Sequence, residues 1–368
     1  MVVIPRLGSS VMNHKAWPCA IIAVVSLLSC GCEVDYFAQL VGGELATLGQ
    51  AMPISQALTD SRLTDDERTK LLLTQDVRQF GIDNIGLTGA NSFTTFIWDG
   101  AGPAAYVLSA SAKDSLTPYE WSFPLLGNWE AKGFFDLAMA QRQAQQLMDQ
   151  GYDVFLGEAS GFSTLGILPD PLRQSNLDAS DEIDLAELIL HEMTHSTVIK
   201  PSDTDFSESL ATFIGRRAAL AWFNERFGAD SSPALAARDR FTDEGIIDEF
   251  INDLVARMRA YYADAAAQGM SRDAVIAGRQ VEFDAAKARY ETEYRPRLAD
   301  QARWGTIGEA DFNNAMLLTA IRYQGSLSDY QAVLDKVGGS FRDAIAVFQQ
   351  AAAADDSMGF LRDWVASH

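Results

Sequence analysis

The sequence predicts an α+β chain that is mainly α, with a small sheet framed by N- and C-terminal helices. Three observations carry this. Residues 91–130 are rich in aromatics (Phe93, Phe96, Trp98, Tyr106, Trp121, Trp129) broken by Gly and Pro, the pattern of short strands joined by turns. Beyond Pro233 the chain is rich in Ala, Arg, Glu and Asp, with no strand-like run. Between them runs DEIDLAELILHEMTHSTVIK (181–200), an amphipathic helix carrying His191-Glu192-Met193-Thr194-His195.

Taken in order, the chain opens with Arg6, His14 and Lys15 before the apolar run Ala16–Leu28, as an export signal does. That run is too short for an ordinary membrane span. Leu27-Leu28-Ser29-Cys30-Gly31-Cys32 resembles a bacterial lipobox, with Cys30 or Cys32 as the acylated residue. The remaining cysteine, Cys19, lies inside the apolar run, so no disulfide framework is expected. The expected location is outside the cytoplasm, on a bacterial membrane through a lipid anchor. The rest, 33–368, reads as a single unit: 33–90 N-terminal helices, 91–230 sheet and core, 231–368 a helical region.

Residues 33–58 are apolar at helical spacing (Tyr36, Leu40, Val41, Leu45, Leu48), weakened by Gly42 and Gly43. Thr64 with Glu67 makes a capping box for a helix whose stripe runs Lys70–Phe80, and Gly81 is the expected stop. After the strand block, 136–150 returns to helical spacing, closed by Gly151, and Tyr152–Glu158 reads as a strand. Residues 161–171 form a turn-rich connection. Ser180, followed by Asp181, Glu182 and Asp184, is the expected cap of the motif helix, which Pro201 would stop. Residues 202–205 read as a turn, then a helix runs from Ser207 to Phe227, ending at Gly228. Further helices are expected at about 242–268, 271–294, 309–323, 327–337 and 339–353.

Charge and histidine content narrow the function. With 29 Lys and Arg against 50 Asp and Glu, the formal charge is -21, and no basic face for nucleic acid is visible. The four histidines are His14, in the leader, His191, His195 and the terminal His368. Two histidines four apart on a helix face one way, so both imidazoles can grip one ion. Glu192 between them can take a proton from a water there. The ion that this chemistry fits is zinc, which in catalytic sites takes three protein ligands and keeps one position open.

The third ligand must come from elsewhere. A third histidine would fall at position 201, which is Pro201, so a carboxylate must serve. Glu208, 13 residues after His195 on the next helix, can return beside the histidines if the two helices form a hairpin. Ser207, Ser209 and Ala211 leave room for close helix approach. Asp203 and Asp205 compete for the same role.

The stretches WSFPLLG (121–127), KGFFD (132–136), FSTLGILPDP (162–171), LAELILHEMTHSTV (185–198) and FSESLATFIG (206–215) resemble the bacterial putative aminopeptidase family. YFAQLVGGEL (36–45) and FNNAMLLTAIRY (312–323) are weaker matches in the same order. Glu208-x-x-Ala211 is also similar to the third-ligand helix of gluzincin metallopeptidases. The resemblance implies a zincin-like metallopeptidase with one Zn2+, a peptide substrate, and His191, His195 and Glu208 as ligands. By analogy with related metallopeptidases, Tyr323 becomes a candidate oxyanion donor. The strand near Tyr152–Glu158 could likewise take an extended peptide by strand addition. The chain departs from the family at Phe162 (usually Tyr) and Ser207 (usually Asn), and from the gluzincin pattern at Thr212 (usually an acid). The expected function is a zinc peptidase, as an aminopeptidase. An endopeptidase of the same chemistry and a non-catalytic zinc-binding lipoprotein are the alternatives.

Overall fold

The computed structural model describes residues 49–89, 91–100, 102–103, 105–123, 127–159, 170–323 and 327–368. The leader with Cys30 and Cys32, the span 33–48 and most of the connection 161–171 lie outside the described residues. Gln50–His368 is one compact unit.

Strand pairing begins with β1 (Met52–Pro53), followed at once by α1 (Ile54–Ala57). The helix expected over 33–58 therefore does not hold at 52–53, where Met52 and Pro53 pair antiparallel with Phe96 and Thr95. The capping box of Thr64 and Glu67 is present and opens α2 (Asp65–Phe80). Gly81 does not stop the chain: residues 81–85 continue as a π turn, which ends at Gly86 with φ +92°. Gly81 meets a packing need instead, because a Cβ there would lie 3.0 Å from both Leu190 and Met193 of the motif helix.

The aromatic block forms β2 (Thr95–Ile97), β3 (Ala105–Ser111), β4 (Trp121–Phe123), β5 (Gly127–Trp129) and β6 (Ala131–Phe134). It does not make the one small sheet expected. Among the described residues there are two three-stranded sheets, ordered β1-β2-β8 and β6-β3-β7, and the hairpin β4-β5. The runs are too short and too often broken to extend one ladder. Asp136 caps α3 (Leu137–Asp149), and β7 (Asp153–Ala159) pairs antiparallel with β3 along its full length. Then β8 (Leu172–Arg173), parallel to β2, leads into a short α4 (Gln174–Ala179) that the sequence did not signal.

The motif helix is α5 (Glu182–His195). Its cap is Asp181, not Ser180, because the Asp181 carboxylate accepts from the Ile183 and Asp184 amides. It ends at His195, six residues before Pro201. Thr197 Oγ1 and the Val198 amide turn back onto the last helical carbonyls, so the stop is local and owes nothing to proline. α6 (Thr204–Phe227) starts inside the expected turn, with Asp203 as its cap.

The C-terminal helices are α7 (Ser232–Ala267), α8 (Arg272–Arg289) with a π turn over 290–294, α9 (Asn314–Tyr323), α10 (Leu327–Lys336), α11 (Phe341–Ala353) and α12 (Ser357–Ser367). α7 starts ten residues before the expected 242, because Ser231 caps it and Pro233 sits where a helix tolerates proline. Residues 309–313 lie before α9, and α12 was not expected.

Two hydrophobic cores result. The first joins α2, α5, α6, α10, α11 and α12, with Leu185, Ile189, Leu190 and Met193 of α5 fully buried. Each such side chain contributes about 2 kcal/mol of transfer free energy. The second joins the C-terminal part of α7 to α8, the π turn and α9, through Phe250, Tyr290, Phe312 and Leu317. α7, about 54 Å long at 1.5 Å per residue, serves both: Ala234 and Ala237 face the first core, and Ile246 onward faces the second. No described helix is long and apolar enough to cross a membrane.

Candidate metal centre

α5 and α6 form the hairpin on which the site depends. They approach closely at Gly215, where a Cβ would sit 3.1 Å from the Glu187 carbonyl and 3.3 Å from the His191 Cβ. The small residues singled out in the sequence do other work. Ser207 Oγ ties back to Lys200 and Asp203 O, while Ser209 Oγ bonds Asp205 O. A glycine inside an otherwise helical pattern is the sequence signal for such a crossing.

The crossing sets Glu208, in the second turn of α6, against the last turn of α5. His191 Nε2 and His195 Nε2 are 3.2 Å apart. Glu208 Oε2 lies 3.4 Å from the first and 3.6 Å from the second. Among the described residues, these three are the only group of three or more His, Cys, Asp or Glu side chains placed to share an ion. Asp203 caps α6 and Asp205 pairs with Arg322 at 3.5 Å, so neither joins them.

The donor set fits zinc in chemistry and in spacing. Two imidazole nitrogens and one carboxylate oxygen are its usual ligands. Tetrahedral ligands about 2.0–2.2 Å from zinc stand roughly 3.3–3.6 Å apart, close to the separations seen here. Within the motif, two buried polar atoms have no protein partner: Glu192 Oε2 and His195 Nδ1.

The carboxylate and the two imidazoles are coupled electrostatically. Burial pushes the Glu208 carboxyl up, but hydrogen bonds from His191 and His195 outweigh it and hold the group well below the usual range. Burial pulls His195 down, while Glu208, Glu192 and Asp170 push it up, and the net is upward. A metal and protons would thus compete for the same nitrogen.

Tyr323 ends α9 beside the site, its ring centroid 6.4 Å from that of His191. Desolvation around its hydroxyl, then the Glu208 charge, push the phenol above its ordinary value, although the residue is 41 % exposed. Its neighbour Arg322 is buried and pairs with Glu130 at 3.1 Å, tying α9 to the β5–β6 turn. β7, the strand considered for peptide binding, is an outer strand of its sheet.

A second charged group, unread in the sequence, adjoins the site. Arg216 of α6 pairs with Glu187 of α5 and with Glu244 and Asp248 of α7, at 3.3, 2.8 and 2.5 Å. Burial, then the Glu187 charge, push Glu244 up to about 8. No sequence spacing signals this group, because its members are drawn from three helices.

A family model described as "Putative aminopeptidase" matches residues 35–358. No curated protein and no solved structure matches the chain.

Proposed function

The chain belongs to the "Putative aminopeptidase" family, and from that premise we propose that it is a zinc-dependent aminopeptidase. The observation that carries the zinc part is the convergence of His191 Nε2, His195 Nε2 and Glu208 Oε2 within 3.2–3.6 Å of one another. The aminopeptidase part rests on the family alone.

His191, His195 and Glu208 would hold the ion, which when bound supplies Lewis-acid polarisation of the scissile carbonyl and acidifies a water. Glu192 stands between the two histidines with Oε2 unpaired and buried. Its carboxylate accepts the proton of the attacking water and returns it to the leaving amine. The Tyr323 hydroxyl, kept protonated at neutral pH, donates a hydrogen bond to the carbonyl oxygen as negative charge develops there. The buried face of α5 holds the helix still while these groups act.

The test pairs Glu192→Gln with free and N-acetylated peptides. The variant is expected to keep about one zinc and to lose turnover by roughly 10²–10⁴-fold, the usual worth of a general base. Full activity in Glu192→Gln would remove Glu192 from the mechanism. Equal cleavage of acetylated peptides would make the enzyme an endopeptidase. Zinc without cleavage of any peptide would leave a zinc-binding lipoprotein.

Export and lipid anchoring through Cys30 or Cys32 belong to the same proposal, supported by the lipobox-like run. The double variant Cys30→Ala, Cys32→Ala is expected to leave the membrane fraction. Continued membrane association would overturn the anchor.

A further inference from the structure

We propose that Tyr330 of α10 is a positioning residue for Glu208, which makes the C-terminal helices part of the metal centre; this rests on the metal reading above.

Glu208 lies close to the end of a helix, next to the turn least secured by its own bonds. Glu208 stands just past the first turn of α6, which follows a turn at 201–202 and whose opening amides have no carbonyls one turn back. A ligand beside such a turn must still be held within about 0.5 Å. Tyr330 supplies a hold from outside. It is fully buried, and its hydroxyl lies 2.9 Å from Ser209 Oγ and 3.2 Å from the Phe206 carbonyl oxygen. Those two residues flank Glu208 on both sides in the chain. Ser209 Oγ also lies 2.6 Å from the Asp205 carbonyl oxygen, so the bridge spans the turn that carries the ligand.

The phenol cannot move aside. Its ring packs on Phe206, Phe213 and Phe348 at centroid distances of 6.0, 5.7 and 5.6 Å. A second tie holds the other end of the same loop. Lys200 Nζ donates to the Ala354 and Asp355 carbonyls and to Ser357 Oγ, at 2.6, 3.0 and 3.0 Å. Both ties come from α10–α12. A buried phenol needs a polar partner wherever it lies; what marks Tyr330 is that Ser209 Oγ and the Phe206 carbonyl, beside the ligand, supply it.

The experiment measures zinc affinity by chelator competition and the visible spectrum of the cobalt-substituted protein. Tyr330→Phe keeps the ring and removes the bridge. It is expected to weaken zinc about 10-fold, at the low end for residues that orient a ligand. The cobalt bands should shift, with little change in the Tm of the metal-free protein. Phe348→Leu is the packing control, expected to lower Tm and leave zinc affinity as in the wild type. Should Tyr330→Phe fail to fold, Ser209→Ala reads the bridge from its other end, with a several-fold loss of zinc affinity expected. Wild-type affinity and spectrum in Tyr330→Phe, or in Ser209→Ala where that stands in for it, would overturn the proposal. So would an equal loss of zinc in Phe348→Leu. A wild-type protein that binds no zinc would instead overturn the metal reading itself.

Discussion

Along the α5–α6 pair, Glu187, Glu244 and Asp248 close on Arg216, while eight residues away on α6 Glu208 faces His191 and His195. Both groups are shielded from solvent, and both contain carboxylates that burial alone would neutralise. In the first, the chain supplies its own permanent cation. In the second it supplies two imidazoles, which are neutral whenever their nitrogens act as ligands. The difference teaches how to tell a structural charge cluster from a site for an added ion. Where carboxylates surround a guanidinium, the charge is settled inside the fold. Where a carboxylate and two imidazole nitrogens point at one spot, the fold supplies no permanent cation of its own, and we propose that one from solution completes the arrangement.

The strongest way to break this comparison is to remove the internal cation. Arg216→Met leaves three shielded carboxylates without their partner, which is expected to cost about 3–5 kcal/mol. Denaturant unfolding of the metal-free protein measures it. A loss below 1 kcal/mol would mean that the cluster is not held by Arg216.

Next in size is the added cation. Zinc at about 100 times its Kd should stabilise the wild type by about 2.7 kcal/mol. Glu208→Gln should remove most of that gain, read as the difference in Tm with and without zinc. If Glu208→Gln gains as much from zinc as the wild type, another group completes the set.

The smallest effect is the share of the pH slope that Glu244 of the first cluster contributes. Glu244 is pushed from an ordinary 4.5 up to about 8, first by burial and then by Glu187. Between those values the folded protein binds more protons than the unfolded chain, so stability falls as pH rises. The drop should be on the order of 1–2 kcal/mol, spread widely because neighbouring carboxylates share the proton. Glu244→Gln should flatten it. A metal-free wild type whose stability rises from pH 5 to 8 would contradict the assignment.

Local signals read well where one element sufficed. The Thr64 and Glu67 capping box, the strand at β7 and the face shared by His191 and His195 each depend on residues a few positions apart. Glycines were harder. Gly81 and Gly215 read as a stop and as nothing, yet each marks a close helix approach, which depends on what lies across the gap. Stops and starts also slipped. Asp181 out-competes Ser180 as a cap, and α5 ends on bonds from Thr197 and Val198 well before Pro201.

The order of residues alone determined that two imidazoles and Glu192 share one turn of helix, because the α-helical period is set by backbone geometry and nothing else. It also placed Glu208 within reach, through the length of the connection. Only the tertiary structure decided how far apart those donors stand, which aspartates face elsewhere, and that Arg216 and Tyr330 serve the same helix pair. Tyr330 is 121 residues from Ser209, and Asp248 is 32 from Arg216. Contacts over such separations are chosen by which buried faces fit together, and no local pattern records that choice.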